Sequence, residues 1–253
     1  MIVNNISGGY TGGFTLENIS FNVDKGKMYA LLGLNGSGKT TIMRIITGLL
    51  KARSGSVLVK DKNILTLKER ERAKIISYVP QHSNIVYDTK VIDVVLMGVS
   101  PYLKTFQSPD KSHIDKAYKI LDILGMKLIS HTNYQILSGG LKQMVIIARA
   151  MLQDGEYMIL DEPDSSLDLV NKRNLMVKLR DITDRFQKGS LISMHNPEYA
   201  LNYCDNIILV KNGRILEIDL KNEDIGSVEE KLSTVYGNVK IIKYKNKYIL
   251  YYE

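Results

Sequence analysis

Eight consecutive residues, Gly33-Leu34-Asn35-Gly36-Ser37-Gly38-Lys39-Thr40, place four residues between a leading glycine and a Gly-Lys-Thr end. That spacing is the P-loop pattern, and each residue type in it has a chemical reason. Glycines let successive backbone N–H groups turn inward around phosphate oxygens without side-chain clashes. A helix starting near Lys39 adds the positive end of its dipole. Lys39 can reach the β- and γ-phosphates of a nucleoside triphosphate, and the Thr40 hydroxyl can ligate Mg²⁺. Asn35, Gly36, Ser37, Gly38, Lys39, Thr40 and Thr41 are therefore candidate ATP-binding residues, with Thr40 shared by the metal.

A second chemical feature follows an apolar run, where Tyr157-Met158-Ile159-Leu160 leads directly into Asp161-Glu162. Open α/β sheets place their chemistry at the carboxyl ends of such buried strands. Successive strand residues point to opposite sides, so the two acids are expected to do different work. Asp161 is read as a Mg²⁺ ligand and Glu162 as the general base that polarises the attacking water.

Elements that could hold these groups are visible in the hydrophobic patterning. Residues 14–23 read as a strand, Gly26 as a turn and residues 28–32 as a short buried strand. Helical spacing covers 41–50, Gly55 reads as a break, and residues 57–60 and 75–79 read as strands. Residues 88–154 change to helical character, with apolar positions three and four apart over 91–97, 113–124 and 141–152. Strands return at 157–160, 190–194 and 207–210, and the tail 239–252 reads as a hairpin turning near Asn246. The pattern predicts an α/β nucleotide-binding core with a helical insertion.

Composition narrows the class further. The chain has 253 residues, 44% hydrophobic and 24% charged, as in an ordinary globular protein with a sizeable core. No apolar run approaches the ~18 residues that a membrane span needs. The first ten residues lack the basic start and apolar run of a signal peptide, so a membrane role is expected to come through a partner chain. One cysteine, Cys204, precludes an internal disulfide and fits a reducing compartment. A net charge of +7 permits contact with nucleic acid or an anionic surface without choosing between them.

Leu137-Ser138-Gly139-Gly140, just ahead of the acidic strand, resembles the signature motif of ABC ATPases. With the P-loop and the acid pair in that order, the resemblance covers nearly the whole chain. It implies a single ABC ATPase domain over 1–253, of P-loop NTPase α/β class, with an N-terminal antiparallel β portion. An inserted helical subdomain at 88–154 would carry the signature. Gln81 looks like the Q-loop glutamine that contacts Mg²⁺ and couples to the membrane partner. Ser165-Ser166-Leu167-Asp168 resembles the D-loop, and His195 sits where the family keeps its switch histidine, near the γ-phosphate. Tyr10 stands at about the distance of the adenine-stacking aromatic, with Phe14 as its rival. Three positions depart from the family pattern: Leu141, Asp164 and Asn196.

The resemblance further implies a head-to-tail homodimer in which Ser138, Gly139 and Gly140 of one copy complete the ATP site of the other. Such a motor would work at the cytoplasmic face of the membrane, peripheral to separate permease subunits and indirectly served by a substrate-binding protein. Residues 91–102, 115–125 and Thr234-Val235-Tyr236-Gly237 look like importers of ferric siderophores, haem and cobalamin, with zinc and manganese importers similar. The competing class is an ABC ATPase acting on nucleic acid, suggested by the lysines and tyrosines of 240–252. That partner is not expected, since neither tandem ATPase domains nor a long coiled coil is present. An idle binding subunit is a further alternative, opposed by intact Lys39, Asp161, Glu162 and His195.

Overall fold

A computed structural model describes residues 1–10, 12–83, 85 and 87–252. Its elements in chain order are β1 (Ile2–Gly9), β2 (Thr15–Asn22), β3 (Met28–Leu32), α1 (Lys39–Ile46), β4 (Ala52–Val59), β5 (Lys62–Asn63), α2 (Glu69–Ala73) and β6 (Ile76–Val79). Then come α3 (Val91–Leu96), α4 (Lys111–Ile123), α5 (Gly139–Gln153), β7 (Tyr157–Leu160), α6 (Leu169–Phe186), β8 (Gly189–Ser193) and α7 (Pro197–Tyr203). The chain ends with β9 (Asn206–Lys211), β10 (Arg214–Asp219), α8 (Ile225–Tyr236) and the hairpin β11 (Val239–Tyr244) and β12 (Lys247–Tyr252).

The central sheet runs β10-β9-β3-β8-β7-β6. Its β9, β3, β8, β7 and β6 strands are parallel, and β10 is an antiparallel edge. All five residues of β3 are buried, which is why they read as an uninterrupted apolar run. The twofold alternation of the strand then sorts its side chains between two cores. Met28, Ala30 and Leu32 join Met158, Leu160, Ile192 and Leu209 beneath α5, α6 and α7. Tyr29 and Leu31 join Ile159, Leu191 and Ile208 on the other face. There α1 is packed between the central sheet and the antiparallel sheet β2-β1-β4-β5, through Ile42, Ile45, Val3, Ile6 and Leu16. Helices α3, α4 and α5 occupy the stretch between β6 and β7 and bury Val91, Val94, Val95, Ala117, Leu121 and Val145 together.

Two sequence expectations change in detail. Gly55 is not what breaks the helical stretch that begins near Thr41; it lies inside β4 at φ +90°, opposite a register shift in β1. A Cβ there would come within 2.4 Å of the Asn5 carbonyl oxygen, so glycine allows close strand approach rather than chain reversal. Helix α1 spans 39–46 instead of 41–50, since Gly48 at φ +70° ends it and Arg72 donates from Nε to the Thr47 carbonyl. Strand β1, part of the expected N-terminal antiparallel portion, carries no clear pattern of its own, because its polar outward residues and two glycines dilute the alternation.

Candidate nucleotide site

The carboxyl ends of β3, β6, β7 and β8 lie side by side, which gathers the loop after Leu32, Gln81, the acid pair and His195. Gly33 leaves β3 at φ +154°, where a Cβ would sit 2.6 Å from both Ser37 Oγ and the Val210 carbonyl oxygen. Gly36 and Gly38 also take positive φ, 76° and 105°, and α1 starts at Lys39. Lys39 is only 5% exposed. Its Nζ donates to the carbonyls of Gly33 at 2.9 Å and Leu34 at 3.3 Å and lies 3.9 Å from Glu162 Oε1. Burial lowers the pKa of this ammonium, and the charges of Glu162 and Asp161 oppose that shift. A cleft of about 210 Å³ is lined by Phe14, Asn35, Gly36, Ser37, Gly38, Lys39, Thr40, Thr41 and Glu162.

The two acids at the end of β7 have separate partners. Asp161, 2% exposed, accepts from Thr40 Oγ1 at 3.1 Å and Ser193 Oγ at 2.7 Å through Oδ1, and from the Tyr78 hydroxyl at 3.3 Å through Oδ2. Burial and the Asp161 charge push the Tyr78 phenol up to about 12, so it stays a donor. Glu162 accepts from Gln81 Nε2 at 2.6 Å on Oε2, and its Oε1 lies 2.8 Å from His195 Nε2. Its backbone adopts φ +44°, a left-handed conformation unusual for a non-glycine residue, and its N–H donates to Ser193 Oγ at 2.7 Å.

A Mg²⁺ ion fits this donor set. Among the described residues no group of three or more His, Cys, Asp or Glu could cage a metal. Mg²⁺ prefers few protein ligands, one or two carboxylates, with substrate phosphates and water completing an octahedron. Asp161 and the Thr40 hydroxyl, 3.1 Å apart beside the loop, offer that combination, with Gln81 nearby through its bond to Glu162.

Other expected residues are distributed differently. Tyr10 is not brought into the cleft: its hydroxyl accepts from Arg44 Nη1 at 3.0 Å. The aromatic ring at the loop belongs to Phe14, so close that a Cβ on Gly38 would lie 2.5 Å from Phe14 Cε1. Ser138 caps the N-terminus of α5, with Gly139 and Gly140 in its first turn. Ser138 and Gly140 line a different cleft, about 300 Å³, with Leu141, Met144, Leu167 and Asn171. None of Ser138, Gly139 and Gly140 lines the cleft of the glycine loop.

The family departures have local uses. Asp164 lies 3.6 Å from Lys172 Nζ. Asn196 caps α7 by accepting from the Glu198 N–H at 2.8 Å, ahead of Pro197. Two hydroxyls that the sequence reading missed, Tyr78 and Ser193, contact Asp161 directly. For Ser193 the available signal was a serine directly after Leu191-Ile192 at the carboxyl end of a buried strand.

A family model described as "ABC transporter" matches residues 16–165. A Helicobacter pylori protein named "Probable iron chelatin transport ATP-binding protein" is 32% identical over 251 residues, 98% of each chain. A Fusobacterium nucleatum phosphonates import ATP-binding protein is 34% identical over 240 residues, 89% of this chain and 96% of its own. In solved structures, an ABC transporter assigned to the metal-chelate type, in an inward-facing conformation, matches with TM-score 0.84 and 25% identity over 99% of this chain and 95% of that one. With the glycine loop, the acid pair and the signature turn in the family's order on the family's fold, this chain belongs to the ABC transporter family as an ATP-binding, ATP-hydrolysing subunit.

Proposed function

We propose that this subunit drives an importer of iron-siderophore, haem or cobalamin type, as a head-to-tail homodimer on separate transmembrane subunits at the cytoplasmic membrane face. The observation that carries the reading is the division of the site. Lys39, Thr40 and Glu162 line one cleft, with Asp161 bonded to Thr40 and with Gln81 and His195 on Glu162, while Ser138 and Gly140 line another. A second copy facing head to tail supplies the missing signature turn to each nucleotide. Among the described residues no helix is long and apolar enough to cross a membrane, which is why the spanning part is assigned to other chains. The cargo class rests on the iron-chelatin relative and the metal-chelate neighbour, and the phosphonate relative marks how broad the family's cargo is.

In this reading the Lys39 ammonium exchanges the Gly33 and Leu34 carbonyls for phosphate oxygens. Thr40 and Asp161 would hold Mg²⁺, which when bound would neutralise charge on the triphosphate. Glu162 takes a proton from the attacking water, and His195 and Gln81, each on one of its carboxylate oxygens, orient it. In the C-terminal hairpin, on which the nucleic-acid alternative rests, part of the lysine and tyrosine surface is paired internally. Lys243, Lys245 and Lys247 lie over the rings of Tyr248, Tyr244 and Tyr203, so these charges and rings already pair with one another.

The test is ATPase activity of wild type and Glu162→Gln, alone and with the cognate membrane subunits in lipid. Turnover is expected to rise with those subunits, to respond to a binding protein loaded with an iron chelate, and to fall about a hundredfold or more in the variant. Activity indifferent to every membrane component would overturn the importer reading, and near-normal turnover of the variant would remove Glu162 as base.

A further inference from the structure

Ser193 is the last residue of β8, is fully buried, and lies one strand away from the acids. A serine hydroxyl carries one proton and two acceptor lone pairs. Here the proton is directed at Asp161 Oδ1, 2.7 Å away, and a lone pair receives the Glu162 backbone N–H, also at 2.7 Å. One side chain thus joins the acid assigned to the metal and the acid assigned to the water. The second bond is made where the backbone is least content to stay, since Glu162 sits at φ +44°. Such conformations persist only when their surroundings over-determine them. The ladder between β7 and β8 ends one residue earlier, at Leu160 opposite Ile192. Ser193 therefore supplies with its side chain the restraint that backbone pairing no longer provides.

We infer that Ser193 is a positioning residue for hydrolysis, fixing the Glu162 backbone and the Asp161 carboxylate in one geometry; the inference rests on the reading of Glu162 as base and Asp161 as metal ligand. Ser193→Ala leaves the glycine loop and Lys39 untouched but frees the Glu162 peptide and removes one of three hydroxyls from Asp161. Nucleotide affinity is then retained while the water-activating geometry is lost.

The experiment uses the full chain at protein concentrations high enough for measurable turnover, with wild type, Ser193→Ala, Ser193→Thr and Glu162→Gln compared. Ser193→Ala is expected to lower kcat about tenfold or more, keep KM for ATP within about twofold, and raise the Mg²⁺ concentration for half-maximal activity several-fold. Binding of a fluorescent ATP analogue at wild-type affinity shows that the variant is folded. Ser193→Thr keeps the hydroxyl and is expected to recover turnover to within about threefold of wild type. Wild-type kcat in Ser193→Ala beside an inactive Glu162→Gln overturns the inference and leaves the base assignment standing. Near-normal turnover of Glu162→Gln overturns the assignment itself. Equal loss of ATP affinity and kcat in Ser193→Ala, or a threonine variant as slow as the alanine one, marks the hydroxyl as a packing group only.

Discussion

At the residue scale, the proposed site consists of side chains already held by bonds that a nucleotide can replace or use. The Lys39 ammonium rests on two carbonyls of its own loop, and burial makes its charge costly until phosphate arrives. At the aromatic beside the glycine loop, geometry and sequence spacing part. Tyr10 is tied to Arg44, whereas the Phe14 ring borders both the glycine loop and the cleft beside it. Stacking on an aromatic contributes ~1–3 kcal/mol per base. Phe14→Ala is therefore expected to weaken ATP binding about fivefold or more, with a smaller change for Tyr10→Ala. Equilibrium binding of ATP and adenosine to both variants checks this, and the reverse order would return the role to Tyr10.

Elements are positioned by polar ties at their ends as much as by their apolar faces. Asp154, in left-handed conformation at the end of α5, accepts from Lys116 Nζ of α4 at 2.8 Å and from Lys188 Nζ, just before β8, at 3.0 Å. Burial alone would raise this carboxyl, but the two lysines outweigh it and hold the pKa below its ordinary value. The stabilisation is then complete above the unfolded value of ~3.9 and is lost as pH falls through the lower folded one. Asp154→Asn tolerates the left-handed backbone but leaves the buried Lys188 ammonium without its carboxylate. It is expected to cost about 1–2 kcal/mol at pH 7, kept low because the carboxylate is half exposed. Denaturant unfolding should show that difference shrink below about pH 4; a difference independent of pH would contradict the ion-pair account.

For the whole molecule, the separation of the glycine-loop cleft from the signature cleft makes a composite site the central expectation. Lys39→Ala removes the phosphate contact in its own chain, and Ser138→Arg blocks the signature offered to a partner. Each variant alone is expected to be nearly inactive. Mixed, they form some dimers in which the loop of the Ser138→Arg chain meets the signature of the Lys39→Ala chain, one intact site. Turnover should therefore appear in the mixture that neither protein shows alone. Absence of complementation, with both variants folded and exchanging, would oppose the head-to-tail arrangement.

The chemistry, and most of the strands that bear it, can be read along the chain without knowing how it folds. The loop 33–40 and the acids 161–162 are local motifs, set by backbone freedom and by short apolar runs that a strand buried on both faces accommodates. β7 falls on the residues that the pattern indicated, and the hairpin turns at Lys245-Asn246, because both signals are contiguous in the chain. Other features arise only on folding, because they depend on residues far apart in sequence. The pairing of β7 with β8 brings Ser193 to Asp161 and Glu162, 32 and 31 residues away, and β6 brings Tyr78 and Gln81 across more than 80. The choice of Phe14 over Tyr10 at the loop, and the role of Gly55 inside a strand, likewise depend on which surface each residue meets. No periodicity reports such encounters, because they are set by strand order in the sheet rather than by neighbours along the chain.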